Sequence, residues 1–472
     1  MTFLEQWVGT INGYLWGSVL IYLLTGCGIW FTLRLKAIQL TKFTHMFTLL
    51  KSSRKTDAHG ISSFQALCTS LAARVGTGNL MGVAVAISLG GAGAVFWMWL
   101  IAIVGMATAF AESTLGQLYK EKDSNGNFRG GPAYYMSKGL KNRGLALTFS
   151  LCLFFGYGFV FSAVQANSIT DAFSGSFNID PIITGIIITI ATGFIILGGL
   201  KNIARFAELT VPFMGLAYFI VCIVVIGQNI QHIPMVIMDI FNSAFGLKEA
   251  GGGLVGAAIV QGVKRGLYSN EAGMGSAPNA AAAAVPYPPH PVSQGYIQML
   301  AVFFDTIVIC SCTAFMILLF DGSGGEIKGI QLTQQALAFQ VGAWGSDFIS
   351  VAILLFGFTS IVANFAYAEN NLKYLKLDHA LGHWFLRIGF LAMLVFGSVA
   401  SLPEVIALAD LSTGLMTIVN VTALFLLTKV VVSLSKDYHK QLAAGKLPHY
   451  EPNAEQHKTL HLSKDVWSEN SK

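Results

Sequence analysis

Ala72-Ala73-Arg74-Val75-Gly76-Thr77-Gly78-Asn79 lies within an apolar stretch, 64–88, that is long enough to cross a membrane as a helix. Gly76 and Gly78 each cost a helix interior roughly 1 kcal/mol, and polar side chains flank both glycines. We therefore expect this helix to be unwound at its centre. Unwound backbone is tolerated at this depth only where it is buried in protein or lines a wet cavity.

A second stretch of the same kind follows, with 197 residues separating Gly76 from Gly273. It lies within 253–285 and reads Lys264-Arg265-Gly266-Leu267-Tyr268-Ser269-Asn270-Glu271-Ala272-Gly273-Met274-Gly275-Ser276-Ala277-Pro278. Taken alone, either stretch could use its glycines only to let helices pack closely. Their repetition favours two unwound helices, which expose amide N–H groups and carbonyls at half-helix ends.

The composition fits a protein that crosses the membrane several times. Of the 472 residues, 54% are hydrophobic and only 11% are charged, whereas a soluble domain carries roughly 25% charged residues. So few charges could not cover the surface of a soluble protein. The high apolar content excludes a disordered chain, and the presence of only six cysteines excludes a disulfide-rich scaffold.

Eleven apolar stretches are long enough to be transmembrane helices. They are 14–34, 64–88, 92–115, 145–170, 182–200, 208–228, 253–285, 296–320, 347–370, 384–400 and 403–431. If the N-terminal stretch 14–34 is set aside, ten stretches remain, and the two glycine-rich stretches are the first and the sixth of these ten. Because five spans per half is an odd number, the halves enter the membrane from opposite sides, which predicts an inverted repeat.

The predicted fold class is therefore an all-α polytopic membrane protein with a 5+5 inverted repeat and one extra N-terminal helix. The predicted divisions are the extra helix with the first loop, 1–62, the two repeats, 63–228 and 229–432, and a tail, 433–472.

The distribution of charge predicts an orientation. The 29 Lys and Arg against 24 Asp and Glu give a net charge of +5, and the basic residues concentrate in alternate loops and in the tail. By the positive-inside rule, the N-terminus is expected outside and the C-terminus in the cytoplasm. Basic loops beside apolar spans fit an anionic leaflet, so no nucleic-acid partner is expected. Residues 1–7 lack Lys and Arg, so no cleavable signal peptide is expected.

Four segments carry a family resemblance. Residues 75–79, Val-Gly-Thr-Gly-Asn, resemble the unwound first core helix of sodium-coupled symporters with the leucine-transporter fold. Residues 90–100, Gly-Gly-Ala-Gly-Ala-Val-Phe-Trp-Met-Trp-Leu, are similar to the signature of the alanine/glycine:cation symporter family. Residues 130–136, Gly-Gly-Pro-Ala-Tyr-Tyr-Met, and 269–277, Ser-Asn-Glu-Ala-Gly-Met-Gly-Ser-Ala, also resemble motifs of that family. The resemblance covers nearly the whole chain.

The resemblance implies a leucine-transporter-like fold and import of a small neutral amino acid, alanine or glycine, across a prokaryotic plasma membrane. Na⁺ would drive import as symport by alternating access, with H⁺ as the alternative coupling ion. Another neutral amino acid, such as glutamine or serine, is the alternative substrate. A channel or a receptor without coupled transport is the alternative from another class. Beside the amino acid and the lipid bilayer, no obligate protein partner is expected.

The substrate site is expected at the two breaks. The carboxylate of the amino acid would meet backbone amides at the start of a half-helix, and Gln165 would reach it from the span 145–170, at a position that faces the substrate in this fold. An interhelical hydrogen bond is the alternative role of Gln165. The expected cradle consists of Thr77, Gly78, Asn79, Gln165, Gly273, Met274, Gly275 and Ser276.

The resemblance also places a sodium site between the first break and the span 347–370. Hard oxygen ligands suit such a cation. The expected ligands are the carbonyls of Ala72, Val75 and Phe356 and the hydroxyls of Thr359 and Ser360. These hydroxyls could instead bond only to the preceding turn of their own helix.

Charged residues at the same depth need partners, because a mid-membrane charge costs several kcal/mol. Arg74 lies where some symporters of this fold form a second sodium site, and its guanidinium would repel a nearby cation. We therefore expect one Na⁺ per cycle. The other such charges are Lys264, Arg265 and Glu271, and the candidate partners are Asp410 and Asp305. These groups form gate ion pairs or only fix the register of the helices.

Enzymatic chemistry is not expected. The sequence contains no nucleophile–base arrangement, no phosphate-binding GxxxxGK[ST] loop and no Cys/His metal cluster. ATP-driven transport is disfavoured on the same ground.

Overall fold

The computed structural model describes residues 3–54, 60–123, 126–197, 199–246, 252–320, 329–463 and 465–467. Small parts of the predicted span 182–200, of the predicted divisions and of the tail 433–472 lie outside these residues. The described chain is almost entirely helical, as the predicted fold class requires.

The first part of the described chain contains twelve α-helices and one short hairpin. The helices are α1 (Phe3–Tyr14), α2 (Leu20–Arg34), α3 (Ile38–Thr41), α4 (Phe43–Ser52), α5 (Ser63–Arg74), α6 (Val83–Gly90), α7 (Gly93–Leu118), α8 (Pro132–Lys138), α9 (Arg143–Phe155), α10 (Phe161–Phe177), α11 (Pro181–Ile196) and α12 (Gly199–Gln228). The antiparallel hairpin consists of β1 (Glu121–Lys122) and β2 (Phe128–Arg129).

Eleven more helices follow in the described chain. They are α13 (Ile233–Phe245), α14 (Gly252–Asn270), α15 (Ala277–Ala283), α16 (Pro291–Val302), α17 (Ser311–Leu318), α18 (Ile330–Val341), α19 (Trp344–Tyr374), α20 (Ala380–Val399), α21 (Leu402–Leu426), α22 (Thr428–Ala443) and α23 (Ala454–Thr459). π-helical turns adjoin these helices at Leu15–Val19, Gly78–Gly82, Gly156–Val160 and Phe303–Cys310.

Eight helices of the described chain are long and apolar enough to cross a membrane. They are Trp7–Arg34, Gly93–Leu118, Arg143–Phe177, Asn202–Gln228, Pro291–Leu318, Trp344–Tyr374, Ala380–Val399 and Leu402–Leu426. The bent pair α5 and α6 adds a ninth if it is counted as one span. Helix α11, in the place of the fifth predicted span, is apolar but has only 16 residues. The chain therefore has several apolar spans, and the count of eleven stays a prediction.

The first break has local causes that can be followed along the chain. Helix α5 begins with a capping box, in which Ser62 and Gln65 each accept the other's backbone N–H at 3.0 Å. It ends at Arg74, because Val75 leaves the helical conformation with a ψ of 88°. Helical structure resumes at Gly78. The two halves, Ser63–Arg74 and Gly78–Gly90, are bent by 50° relative to each other.

The second break is longer and requires left-handed backbone. Between α14 and α15, the φ angles of Glu271, Gly273 and Gly275 are 56°, 91° and 86°. The glycines adopt such angles freely, whereas left-handed backbone at Glu271 costs roughly 1 to 2 kcal/mol. Pro278 lies in the first turn of α15, where its missing N–H is not needed. Both breaks therefore occur where the Gly-x-Gly sequences predict them.

Helix packing encloses both breaks. Helix α5 packs against α12 and α19, and α10 packs against α19 and α20. Helix α14 packs along α7, which also contacts α15 and α16. The unwound residues around Gly76 and Gly273 are buried. This placement satisfies the condition that unwound backbone in a membrane be covered by protein.

The tail packs against the ends of several helices. Trp467 is buried, and its indole N–H donates to the Leu118 carbonyl at the end of α7 (3.2 Å). His290, in the connector between α15 and α16, contacts the Asp437 carboxylate at 3.2 Å. Burial lowers the pKa of His290, and the hydrogen bond with His290 holds the pKa of Asp437 below its usual value. Part of the predicted tail is therefore a packed element of the fold.

Candidate functional site

The two breaks lie against each other at Gly78. A Cβ atom on Gly78 would lie 3.0 Å from the Cα atom of Ser269, in the last turn of α14. Only a glycine allows two backbones to approach this closely without displacing one of them. Gly78 is thus the contact between the two broken helices, which brings residues of both predicted repeats to one place.

Gln165 and Ser360 meet at Gly76. The Thr77 N–H donates to Gln165 Oε1 at 3.1 Å. A Cβ atom on Gly76 would lie 3.0 Å from both Gln165 Nε2 and Oε1 and would overlap Ser360 Oγ. The structure therefore places Gln165, from α10, and Ser360, from α19, on the same unwound residue. The Thr77 N–H, one of the amides predicted to meet the substrate carboxylate, therefore already has Gln165 as its acceptor.

Four of the five residues of the predicted sodium site are linked by hydrogen bonds between their oxygen atoms. Ser360 Oγ donates to the Ala72 carbonyl across to α5 at 2.7 Å, and also to the Phe356 carbonyl at 2.9 Å. Thr359 Oγ1 donates to the same Phe356 carbonyl at 2.9 Å. Val75 is buried directly after α5. The hydrogen bond from Ser360 to Ala72 joins two different helices, so the Ser360 hydroxyl does not bond only within its own helix. The neutral oxygen atoms gathered here suit a small hard cation.

Side chains from α15 and α21 bind the carbonyls of the second break. Asn279 Nδ2 donates to the carbonyls of Gly275 (3.2 Å) and Ser276 (2.7 Å). Asn420 Nδ2 donates to the Gly273 carbonyl at 2.9 Å. The Met274 N–H donates to the Glu271 carbonyl at 3.1 Å. The break is thus held in shape by a network of amides, and these carbonyls already have donors.

Glu271 also lies within the second break. Ser276 Oγ donates to Glu271 Oε2 at 2.5 Å, and both residues are buried. The carboxylate thus closes the break on itself, from its first residue to its last. Ser276 points to this carboxylate, so its hydroxyl serves the geometry of the break.

Asn79 braces the first break from within. Its Oδ1 accepts the Gly76 N–H at 3.0 Å, and its Nδ2 donates to the Asp305 carboxylate at 2.8 Å. Ser269 Oγ and Thr306 Oγ1 also donate to Asp305, at 2.7 and 2.8 Å. Asp305 therefore links both broken helices to the π-helical turn Phe303–Cys310, and hydroxyl and amide donors compensate its buried carboxylate.

Arg74 is buried at the end of α5. Its Nη1 atom donates to the backbone carbonyl and to Oε1 of Gln298, both at 3.4 Å. The carboxylates of Glu112, Glu271 and Asp305 interact with it electrostatically. Arg74 thus has a carbonyl partner, while its Nε and Nη2 atoms meet no hydrogen-bond partner within the described chain.

Lys264, Arg265 and Asp410 form a compact ionic cluster. Lys264 Nζ lies 2.7 Å from Asp410 Oδ2, and Arg265 Nη2 lies 2.6 Å from Oδ1 and 2.8 Å from Oδ2. The side chains of Arg265 and Asp410 are 3% and 5% exposed. Trp16 Nε1 donates to the Asp410 carbonyl at 3.1 Å. One carboxylate is therefore the shared ionic partner of two cations, and the cluster keeps a net charge of +1.

Aromatic rings lie beside the first break. The rings of Phe161 and Tyr268 stack with their centroids 5.6 Å apart, and Tyr157 contacts Phe161 at 4.7 Å. The hydroxyls of Thr77 and Tyr268 lie within reach of each other. Apart from this contact, neither hydroxyl meets a hydrogen-bond partner in good geometry within the described chain. Two buried hydroxyls therefore lie together beside the first break.

Glu112 and Asn420 lie beside the second break but are not among the residues predicted from the sequence. Glu112 Oε2 accepts from Asn420 Nδ2 at 2.9 Å, and the Tyr135 hydroxyl donates to Asn420 Oδ1. Glu112 is the one acid in the otherwise apolar stretch 92–115, and this isolation could have marked it as functional. Nothing in the local sequence distinguishes Asn420 from other polar residues of α21. Asn167 lies elsewhere, since its side chain donates to two carbonyls at the end of α20.

Comparison with known proteins gives a family and a fold. The family model described as the sodium:alanine symporter family matches residues 1–452. The probable sodium/glutamine symporter GlnT of Bacillus subtilis is 49% identical over 94% of this chain and 93% of its own. The sodium/alanine symporter AgcS of Methanococcus maripaludis is 40% identical over 92% of this chain and 97% of its own.

A solved structure shows the same architecture. The crystal structure of MhsT in complex with L-phenylalanine aligns with a TM-score of 0.60 at 13% identity, over 79% of this chain and 91% of that one. MhsT has the leucine-transporter fold, and the expected fold class is confirmed. Since the family model spans almost the whole chain and relatives are 40% and 49% identical over more than nine tenths of it, this chain belongs to the sodium:alanine symporter family.

Proposed function

We propose that this protein imports alanine or glycine together with Na⁺ by alternating access. One observation carries the proposal: Gln165 and Ser360 contact the same unwound residue, Gly76. Gln165 belongs to the expected amino-acid site, and Ser360 belongs to the expected cation site. A single short segment of backbone is therefore shared by both ligands. Ordering of this segment by one ligand would favour binding of the other, and the effect would be reciprocal.

The surroundings of the breaks support a small substrate. The stacked rings of Phe161 and Tyr268 lie beside the first break, and Gly78 brings the two broken helices to close approach. A carboxylate and an ammonium group fit the polar backbone there, while the packed rings leave little room for a long side chain. Alanine and glycine meet these conditions.

The donor set supports Na⁺ as the coupling ion. The five proposed ligands are backbone carbonyls and hydroxyls of Ala72, Val75, Phe356, Thr359 and Ser360, and none of them titrates near neutral pH. A proton would need a titratable carrier at this site. The Arg74 guanidinium, at the end of the helix that leads into the first break, supports one Na⁺ per cycle, since a fixed positive charge disfavours a second cation beside it.

Glutamine is the second candidate substrate. The relative GlnT, a probable sodium/glutamine symporter by name, is 49% identical to this chain. A glutamine side chain would need donors and acceptors beyond the alanine methyl site. The buried hydroxyls of Thr77 and Tyr268, which reach only each other within the described chain, could supply such groups.

The proposed location is a prokaryotic plasma membrane, with the N-terminus outside and the C-terminus in the cytoplasm. The charge bias of the alternate loops supports this orientation. The ionic cluster of Lys264, Arg265 and Asp410 would then lie in the outer half of the protein, and we propose that it acts as the outer gate.

Uptake into proteoliposomes tests the proposed function. Purified protein is reconstituted, and labelled alanine uptake is measured with an inward Na⁺ gradient, with an inward H⁺ gradient and with neither. We expect accumulation above equilibrium only with the Na⁺ gradient, and competition by unlabelled glycine. Flux that is independent of the gradients would indicate a channel. Tight binding without uptake would indicate a receptor, and stronger competition by glutamine than by glycine would favour the second substrate.

Thr359→Ala tests the cation site. Loss of one oxygen ligand should raise the Na⁺ concentration for half-maximal alanine uptake by about tenfold, a loss of about 1.4 kcal/mol. Thr359→Ser keeps the hydroxyl and is the matched control, for which we expect near-normal Na⁺ dependence. An unchanged Na⁺ dependence in Thr359→Ala would remove this residue from the proposed cation site.

Gln165→Ala tests the amino-acid site. We expect the KM for alanine to rise by about tenfold or more, because Gln165 Oε1 accepts the Thr77 N–H and so holds the unwound segment of the proposed site in its conformation. Asn167→Ala is the control on the same helix, since Asn167 bonds the carbonyls of Gly397 and Ala400 away from the breaks. It should lower stability with little change in KM. Equal KM effects in both variants would contradict the assignment.

A further inference from the structure

A basic groove opens where α2 ends. Its volume is about 550 Å³, and it lies between the turn 34–42 and helix α22. Six basic side chains line it, and the other lining residues are apolar or carry a hydroxyl. The basic residues are Arg34, Lys36, Lys42, Lys436, His439 and Lys440. This groove is separate from the breaks and has no part in the proposed transport site.

The charge of the groove is only partly compensated within the described chain. Its Lys and Arg side chains are exposed, and the ion pairs of the described residues involve other cations. Asp437, one turn before Lys440, acts electrostatically on that lysine, but its carboxylate contacts His290, and a single acid cannot balance five Lys and Arg side chains. Lys42 acts electrostatically on His439 across the groove. Like charges gathered in this way repel one another unless an anion lies between them.

The walls of the groove are fixed by the fold. Trp30 donates its indole N–H to Thr428 Oγ1 at 3.1 Å, which ties α2 to the start of α22. The Arg34 guanidinium lies over the Trp30 ring, 5.4 Å from its centroid. Lys36 and Ala37 both adopt left-handed backbone, with φ of 58° and 51°. Such backbone is uncommon outside glycine, and here it turns the chain so that Lys36 and Lys42 line the same groove.

Exposed apolar side chains adjoin the basic residues of the groove along the chain. Leu33 and Leu40 are 70% and 65% exposed, and Trp30 is 41% exposed. Trp30 and Leu33 lie at the end of a helix that is long and apolar enough to span a membrane, and Leu40 lies in α3 directly after it, so their exposed surfaces belong in lipid. A ligand in the groove would therefore have its charged part among the lysines and apolar neighbours beside it.

We propose that this groove binds the phosphate headgroup of an anionic phospholipid. Basic pockets at the ends of transmembrane helices hold such headgroups through charge and hydrogen bonds. Inorganic phosphate carries the same negative charge as the headgroup, but it has no apolar part to contact the exposed Leu33 and Leu40. A phospholipid matches both the basic and the apolar residues, since its acyl chains would lie against those two side chains.

Lipid titration of the purified full-length protein tests the proposal. Native mass spectrometry in a neutral detergent gives the affinity for phosphatidylglycerol and for phosphatidylcholine, and repetition with inorganic phosphate as competitor tests the free anion. The variant Lys36→Gln/Lys42→Gln/Lys440→Gln neutralises the groove. The control Lys141→Gln/Lys446→Gln/Lys458→Gln removes the same charge from exposed residues outside it.

We expect tighter binding of phosphatidylglycerol than of phosphatidylcholine, with an affinity that falls as salt is raised. The groove variant should lose about tenfold or more of that affinity, since each lysine contributes about one kcal/mol near a membrane surface. The control should stay within about twofold of the wild type. Equal affinity for both lipids, an equal loss in the control, or displacement by equimolar phosphate would each overturn the proposal. If the groove variant does not fold, the lipid comparison and the salt series in the wild type decide.

Discussion

We expect Gly76→Ala to lower Na⁺-driven alanine uptake by roughly 100-fold at an equal amount of folded protein. The new methyl group would overlap Ser360 Oγ and lie 3.0 Å from both polar atoms of the Gln165 amide. Ser360 belongs to the proposed cation site, and Gln165 bonds the Thr77 amide of the proposed amino-acid site. A single methyl group thus displaces both, so Na⁺ affinity and alanine affinity should fall together. Uptake and equilibrium binding in proteoliposomes measure the two effects.

Gly82→Ala is the matched control for this substitution. It lies in the same broken span, and its Cβ atom would meet only the Thr77 carbonyl oxygen at 3.7 Å, an ordinary contact. We expect this variant to transport at close to the wild-type rate. Near-normal uptake by Gly76→Ala, or an equal loss in both variants, would contradict a site built around Gly76.

Asp410→Asn should lower the free energy of unfolding by about 3 to 5 kcal/mol. The Asp410 carboxylate is the ionic partner of both Lys264 and Arg265, at 2.7 and 2.6 Å. Its removal leaves the buried Arg265 and the partly exposed Lys264 without their shared counter-charge, which is far costlier than the loss of an exposed pair. Reversible unfolding in mixed micelles measures this change, and the yield of folded protein should fall with it.

Asp347→Asn provides the control for the aspartate. This residue is exposed at the start of α19, and the same chemical change there should alter the free energy of unfolding by less than about 0.5 kcal/mol. An effect of Asp410→Asn as small as that of the control would show that the ionic cluster does not hold α14 against α21. If the cluster also acts as a gate, the variant protein that does fold should release alanine faster than the wild type.

The two breaks could be predicted from sequence because their cause is local. Gly76 and Gly78 in one stretch, and Gly273 and Gly275 in the other, weaken helix at positions where polar neighbours can compensate. Left-handed backbone at both glycines of the second pair agrees with this reasoning. The fold followed from the same pattern, since two breaks five spans apart are typical of an inverted repeat.

The partners of individual side chains could not be predicted, because they depend on contacts between distant segments. Sequence reasoning placed Asn79 in the cradle, but its side chain is bonded to Asp305, 226 residues away. It offered Asp410 and Asp305 alike as partners for the buried cations, and the structure assigns Lys264 and Arg265 to Asp410. Such choices follow from the crossing of helices and leave no mark on the local sequence.

Cooperative binding of alanine and Na⁺ to the purified protein is the decisive measurement, because in the proposed function both ligands share the unwound segment at Gly76, between Gln165 and Ser360. We predict that Na⁺ tightens alanine binding relative to choline, and that alanine tightens Na⁺ binding by the same factor, as thermodynamic linkage requires. The same alanine affinity in Na⁺ and in choline would contradict a segment shared by the two ligands.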